Sequence, residues 1–375
     1  MKALLLLALP ALLGAQDPSS AATEKPRLAK EVLLKAIQDN APILVPHGDE
    51  LYQVTSVESF LAVSEVYPYN EGGQTHHFGL RLKGAKDTGL KGIFSKDTRA
   101  KGGDPKNAKV YINVKVGKET TDLQYWFLYA YNGPGSVYFA TGNALPKVLP
   151  AFLTLNQLKK TYSSPNQPIQ LQTLGAHEGD WEHLTVRISN VDGQRIPDKA
   201  VFMSAHGDGG WYPERSVLAP DLKGKGSRIW AFASKNGHAL FTTPDVHLYS
   251  QFKSPITGLA VFALVNDTSK LGGQALTVDF GLPLPGGKGS RLEIMGVQGD
   301  PALVKALGFT PPAWIAKYPD RWGRYVEKPV PLENVPGLKT PMKQILDKLG
   351  LLTEMTLEAG PQPPWKKGIW DKEDE

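Results

Sequence analysis

Cysteine is absent from all 375 residues. That excludes disulfides, a thiol nucleophile, a lipid-modified cysteine and any thiolate metal centre. A metal site in this chain would therefore draw on carboxylates and imidazoles. Beyond the first fifteen residues, no apolar run reaches the roughly 20 residues of a membrane-spanning helix. Charge of one sign is also scarce. The 42 Lys and Arg face 37 Asp and Glu, and a formal net charge of +5 spread over scattered lysines argues against nucleic acid as a partner. His-Glu-x-x-His, an EF-hand loop and a Gly-x-Ser-x-Gly elbow are missing as well. No repeat of fixed period is present.

What is there favours strands and loops, with 38 glycines and 30 prolines against an ordinary 41% of hydrophobic residues. Residues 1–15 have a basic start, a short apolar core and small residues before Gln16. They read as a secretory signal peptide, which predicts a secreted or periplasmic protein. Helical spacing of apolar positions predicts a helix over 26–37, and Ser56 is placed to cap another from Val57. Residues 70–109, dense in Gly, Lys, Asp and Thr, read as loop, including His76 and His77. Strand patterns follow over 110–116, 123–131, 200–205, 227–234, 246–252, 259–265, 275–280 and 291–297. Short strands between glycine turns predict a mainly β protein, an antiparallel β-sandwich over 26–300. Residues 301–375 read as a helical and proline-rich extension that wraps the sandwich, with helices over 302–307 and 341–349 and with Trp314, Trp322, Trp365 and Trp370 as anchors.

The densest chemistry lies in His177-Glu178-Gly179-Asp180-Trp181-Glu182-His183, which runs on into Leu184-Thr185-Val186-Arg187-Ile188. An extended strand has a side-chain period of two, so Asp180 and Glu182 share a face with Leu184, Val186 and Ile188. Trp181, His183, Thr185 and Arg187 take the opposite face. Two carboxylates at the rim of a core are unfavourable unless a cation, a basic group or a shared proton compensates them. The bland reading places the same residues at a sheet edge facing water.

Four turns deliver histidines: His47 beside Asp49 and Glu50, His177, His206, and His238 after Asn236-Gly237. A sandwich gathers distant loops at one end, which predicts that several of these converge. Asp180, Glu182, His177, His206, His238, His47 and Asp49 are then the candidate ligands of a divalent cation. A carboxylate-rich set favours Ca or Mg, and several histidines favour Zn or Mn. His177 and His206 are the candidate general bases beside a metal-bound water. Trp181, Trp211 and Tyr212 are candidate platforms for a substrate sugar.

The segments 41–42, 47–50, 56–61, 131–134, 177–188, 206–211 and 236–239 resemble, in order, the Vps62-related proteins, whose plant members were long labelled a domain of unknown function. The resemblance spans residues 40–250 and supports fold and site. Asp180-Trp181-Glu182 is also similar to the end of Gly-His-Arg-His-Asp-Trp-Glu, the hallmark of the necrosis- and ethylene-inducing proteins. In those secreted β-sandwich cytolysins the motif surrounds a divalent cation that helps engage a membrane glycolipid. Here Gly179 replaces the preceding histidine, which weakens any carry-over of cytolysis. Three functions stay open: metal-dependent recognition or remodelling of an extracellular glycan or lipid headgroup, metal-dependent hydrolysis of an ester, phosphoester or glycoside, and a structural envelope role.

Overall fold

The computed structural model describes residues 25–84, 101–133, 135–139, 169–170, 176–207, 209–220, 227–253, 260–273, 276–281, 285, 287–325 and 360–370. The leader over 1–15 and the helix expected over 341–349 lie outside the described residues.

A central sheet runs in the order β11 (Gly210–Tyr212), β10 (Val201–Met203), β9 (His177–Ser189), β6 (Thr120–Asn132), β5 (Val110–Val116) and β18 (Leu292–Gln298), with β2 (Val54–Thr55) paired to β6. A second sheet is β12 (Leu218–Pro220), β13 (Ser227–Ala233), β1 (Ile43–Pro46) and β17 (Val278–Asp279), with β14 (Leu240–Phe241) on β13. A third holds β15 (Val246–Lys253), β16 (Ala260–Asp267), β7 (Ser136–Phe139) and β8 (Ile169–Gln170). A hairpin pairs β3 (Ser64–Glu71) with β4 (Gln74–Leu82).

The central strands β6 and β9 are covered on both faces. On one, Tyr125, Phe127, Leu184, Val186 and Ile188 form a core with Ile229, Ala231 and Leu44 of the second sheet and with Leu33 and Ile37 of helix α1 (Lys30–Asp39). That is the sandwich. On the other face Trp126, Leu128 and Trp181 pack with Phe60 of helix α2 (Val57–Val63), Trp322 and Trp370. The alternation read from the sequence holds along β9, and each set meets its own core. α2 starts where Ser56 accepts from Ser59 N at 3.1 Å, the expected cap.

Two expectations are corrected. The stretch read as loop contains β4, because Gly72 and Gly73 (φ +58° and +79°) supply the tight turn its hairpin needs. Apart from Phe78, its exposed residues are polar, which hid the strand. The sheets are also not wholly antiparallel, since β1 pairs with β13 and β5 with β18 in parallel.

The C-terminal segment lies against β4 and β9. Leu80 N donates to Arg321 O at 2.8 Å, and Trp322 N to Pro361 O at 2.9 Å. Gly179 (φ +65°) lets the Trp322 carbonyl approach so closely that an added Cβ would stand 1.7 Å from it. Trp322 is fully buried and Trp370 nearly so, while Trp314 and Trp365 pack around them partly buried.

Candidate functional site

At the Asn132 end of β6, register places Tyr129 opposite Asp180 and Phe127 opposite Glu182. Two turns from outside the β6–β9 pair reach this point. Ala205, His206, Asn236 and His238 have φ between +39° and +65°, and they are the non-glycine residues with positive φ among those described. Such backbone is unfavourable for ordinary side chains and persists where the surroundings over-determine it. Gly237 joins the turns, since a Cβ there would lie 2.9 Å from His206 Cε1.

His238 is fully enclosed. Its ring stacks on Tyr129 with centroids 3.7 Å apart, its Nδ1 lies 2.9 Å from Asp180 Oδ2, and its Nε2 is 3.8 Å from Glu50 Oε1. Burial alone would lower the imidazole, but Glu50 and Asp180 outweigh it and push its pKa up to about 9. At neutral pH this is an imidazolium. Burial raises both carboxyls in turn, yet His238 more than reverses it, and Asp180 and Glu50 sit below the usual carboxylate range. Glu50 also accepts from Tyr52 N at 2.8 Å and Asn236 N at 2.5 Å.

Glu182 differs. Burial and the neighbouring Asp180 charge push its carboxyl up, with only partial relief from His206. It accepts from Ser204 Oγ at 3.1 Å, and His206 Nε2 stands 3.9 Å from its Oε1. His206 Nδ1 meets Asn266 Oδ1 at 2.9 Å, which fixes the ring. Its side chain is 31% exposed, so the cluster opens here. Tyr249, 45% exposed, lies beside it with ring centroids 5.7 Å apart. From the opposite face of the sheet, Lys367 Nζ donates to Trp181 O at 2.8 Å. Burial lowers this ammonium although Glu182 and Asp180 favour its charge.

The structure thus brings together Asp180, Glu182, His206 and His238. His177 turns its Nδ1 to Gly179 O at 2.7 Å and acts on Asp180 only through its charge. His47 faces Asp267 at 3.5 Å, and Asp49 pairs with Lys270. Trp181 is enclosed among the aromatic rings of the far face. Trp211 lies under the Arg187 guanidinium at 4.2 Å, and Tyr212 packs on the sandwich core. Glu50, Tyr129, Ser204, Asn266, Tyr249 and Lys367 complete the cluster. The Glu50 signal was present in the sequence, in the same turn as His47. The others depend on strand register and carry no local sign.

Among the described residues, no group of three or more His, Asp or Glu is arranged to hold a metal ion. Asp180 and His238 are committed to each other. The donor pair nearest the opening is the part-exposed His206 with the buried Glu182, half of a coordination shell.

Residues 164–375, more than half the chain, match the family described as vacuolar protein sorting-associated protein 62. The chain belongs to the Vps62 family. The match takes in the organising strand β9 and the C-terminal extension alike. No curated protein matches the chain significantly. Among solved structures, the necrosis and ethylene inducing protein 2 from the causal agent of cocoa's witches' broom disease is 14% identical, with 70% of this chain and 72% of that chain covered and a TM-score of 0.26. The non-toxic HaNLP3 protein is also 14% identical, covering 74% of this chain and 81% of that one at a TM-score of 0.28. At such scores neither adds to the reading of the site. No helix among the described residues is long and apolar enough to cross a membrane.

Proposed function

We propose that this Vps62-family chain recognises a polar component of an extracellular surface, a glycan or a lipid headgroup, at the mouth shared by Glu182 and His206, without turning it over. The observation that supports this most is the state of His238. The most enclosed imidazole of the cluster is held between two carboxylates with its pKa raised to about 9, so near neutral pH it can neither accept a proton nor ligate a metal. Its service is to fasten the turn at 236–238 to β9. His206 is the histidine that remains open to a ligand, and Tyr249 offers it an aromatic rim. The leader-like start of the sequence is in keeping with a site outside the cytoplasm.

A divalent cation belongs to the same proposal. Glu182 and His206 would hold it, and oxygens of the bound ligand would supply the rest of its shell. Glu182 gains most from such a cation, because burial and Asp180 disfavour its charge. An imidazole–carboxylate pair suits Zn or Mn better than Ca or Mg.

The experiment is binding to glycan arrays and to liposomes, with Zn, Mn, Ca or Mg and with chelator, for the wild type, Glu182→Gln and His206→Ala. The expected result is at least about a tenfold loss of binding in both variants, roughly 1.4 kcal/mol. Alongside runs a screen on ester, phosphoester and glycoside substrates. Turnover by the wild type that vanishes in Glu182→Gln would overturn the non-catalytic reading in favour of a hydrolase.

A further inference from the structure

The other end of the central sheet carries a polar cavity. Asp122 lies seven residues before Tyr129 on β6, about 23 Å along the strand from the cluster described above. There the register sets four polar side chains in a row across the sheet: Gln298 on β18 beside Lys115 on β5, then Asp122 on β6, then Arg187 on β9. Arg187 takes both carboxylate oxygens of Asp122, at 2.7 and 2.8 Å. The row therefore holds two cations around one carboxylate, and that carboxylate is already engaged with one of them.

Lys115 is the cation left over. Its Nζ is shielded from solvent and has no hydrogen-bond acceptor in reach among the described residues. It lines a cavity of about 230 Å³ walled also by Gly117, Thr120, Asp122, Gln298 and Gly299. Gly299 is required to be glycine, since at φ +81° a Cβ would stand 2.2 Å from Val116 O. The two glycines leave backbone where side chains would otherwise fill the space. An ammonium withdrawn from water without a partner is strongly unfavourable, and a small anion in an adjacent polar space removes the penalty.

We propose that this cavity is an oxyanion site, in which Lys115 pairs with a phosphate- or carboxylate-sized group. Gln298 lines the same cavity, with its amide nitrogen donating to Asn113 Oδ1 at 3.3 Å, so the second amide hydrogen is the one left for the ligand. The site is independent of the Glu182–His206 mouth, so failure of one reading leaves the other standing.

The test is titration of inorganic phosphate into the full chain, followed by calorimetry and by phosphorus NMR line broadening. Lys115→Gln is expected to weaken binding at least tenfold and Lys115→Arg to retain it. Lys118→Gln, which removes an exposed lysine three residues on, should leave it unchanged. Thermal melts confirm that each variant is folded. The proposal is overturned by undetectable phosphate binding, or by binding that Lys115→Gln leaves intact.

Discussion

His238 carries a stability signature that depends on pH. Its folded pKa of about 9 lies above the ordinary 6.5, so the stabilisation it supplies is complete below about pH 6.5 and disappears as pH rises through 9. The size of that contribution is on the order of 3 kcal/mol. Asp180 and Glu50, held below the usual carboxylate range, act in the opposite sense: theirs is present above ordinary carboxylate values and is lost as pH falls through the lowered ones. Urea midpoints measured from pH 6 to 9.5 should therefore fall towards the alkaline end in the wild type, and the fall should flatten in His238→Gln. Removing one partner leaves a buried charge unpaired, so Asp180→Asn is expected to destabilise the fold by about 3–5 kcal/mol in urea denaturation near neutral pH. The sequence made these residues legible as a crowded acidic pair with distant histidines. It left open what compensates them, because His238 and Lys367 arrive from turns and segments far away in the chain. Their approach is fixed by strand register and by tertiary packing, neither of which a local pattern records.

At the scale of elements, the two left-handed turns and the positive-φ Gly179 of β9 decide where the groups sit. A methyl at Gly237 would press on the His206 ring. Gly237→Ala is expected to weaken ligand binding at the Glu182–His206 mouth about tenfold while leaving the alkaline signature of His238 in place, which binding and denaturation on the same sample would check. Gly179→Ala is more severe. It meets the Trp322 carbonyl at φ +65°, so a loss of roughly 3 kcal/mol or more is expected, read by denaturation and by faster amide exchange at Leu80 and Trp322. Strand positions such as 110–116 were plain in the sequence because apolar residues alternate there, and 123–131 because apolar or aromatic residues occupy both faces. β4 was not, since its exposed residues other than Phe78 are polar and its partner β3 supplies the order. The parallel pairings of β1 with β13 and β5 with β18 were equally hidden, because strand direction is settled by long connections.

For the whole molecule, the C-terminal extension closes the outer face of the central sheet. Trp322 is fully buried against Phe60 and Trp181, so Trp322→Ala is expected to cost about 3–5 kcal/mol. Arg324 meets the enclosed Glu178 at 3.1 Å, and Lys367 reaches the backbone of β9 from the same side. The four tryptophans placed this wrap in the sequence. Their common destination, the far face of β6 and β9, followed only from the register of the sheet. An ionised His238 locks the distant turn onto the acidic strand. Nitrogen-15 NMR of histidine-labelled protein tests that most directly: both ring nitrogens of His238 should be protonated at pH 7, with a titration midpoint near 9. A His238 with one unprotonated nitrogen at pH 7, titrating at or below its ordinary value, would contradict it.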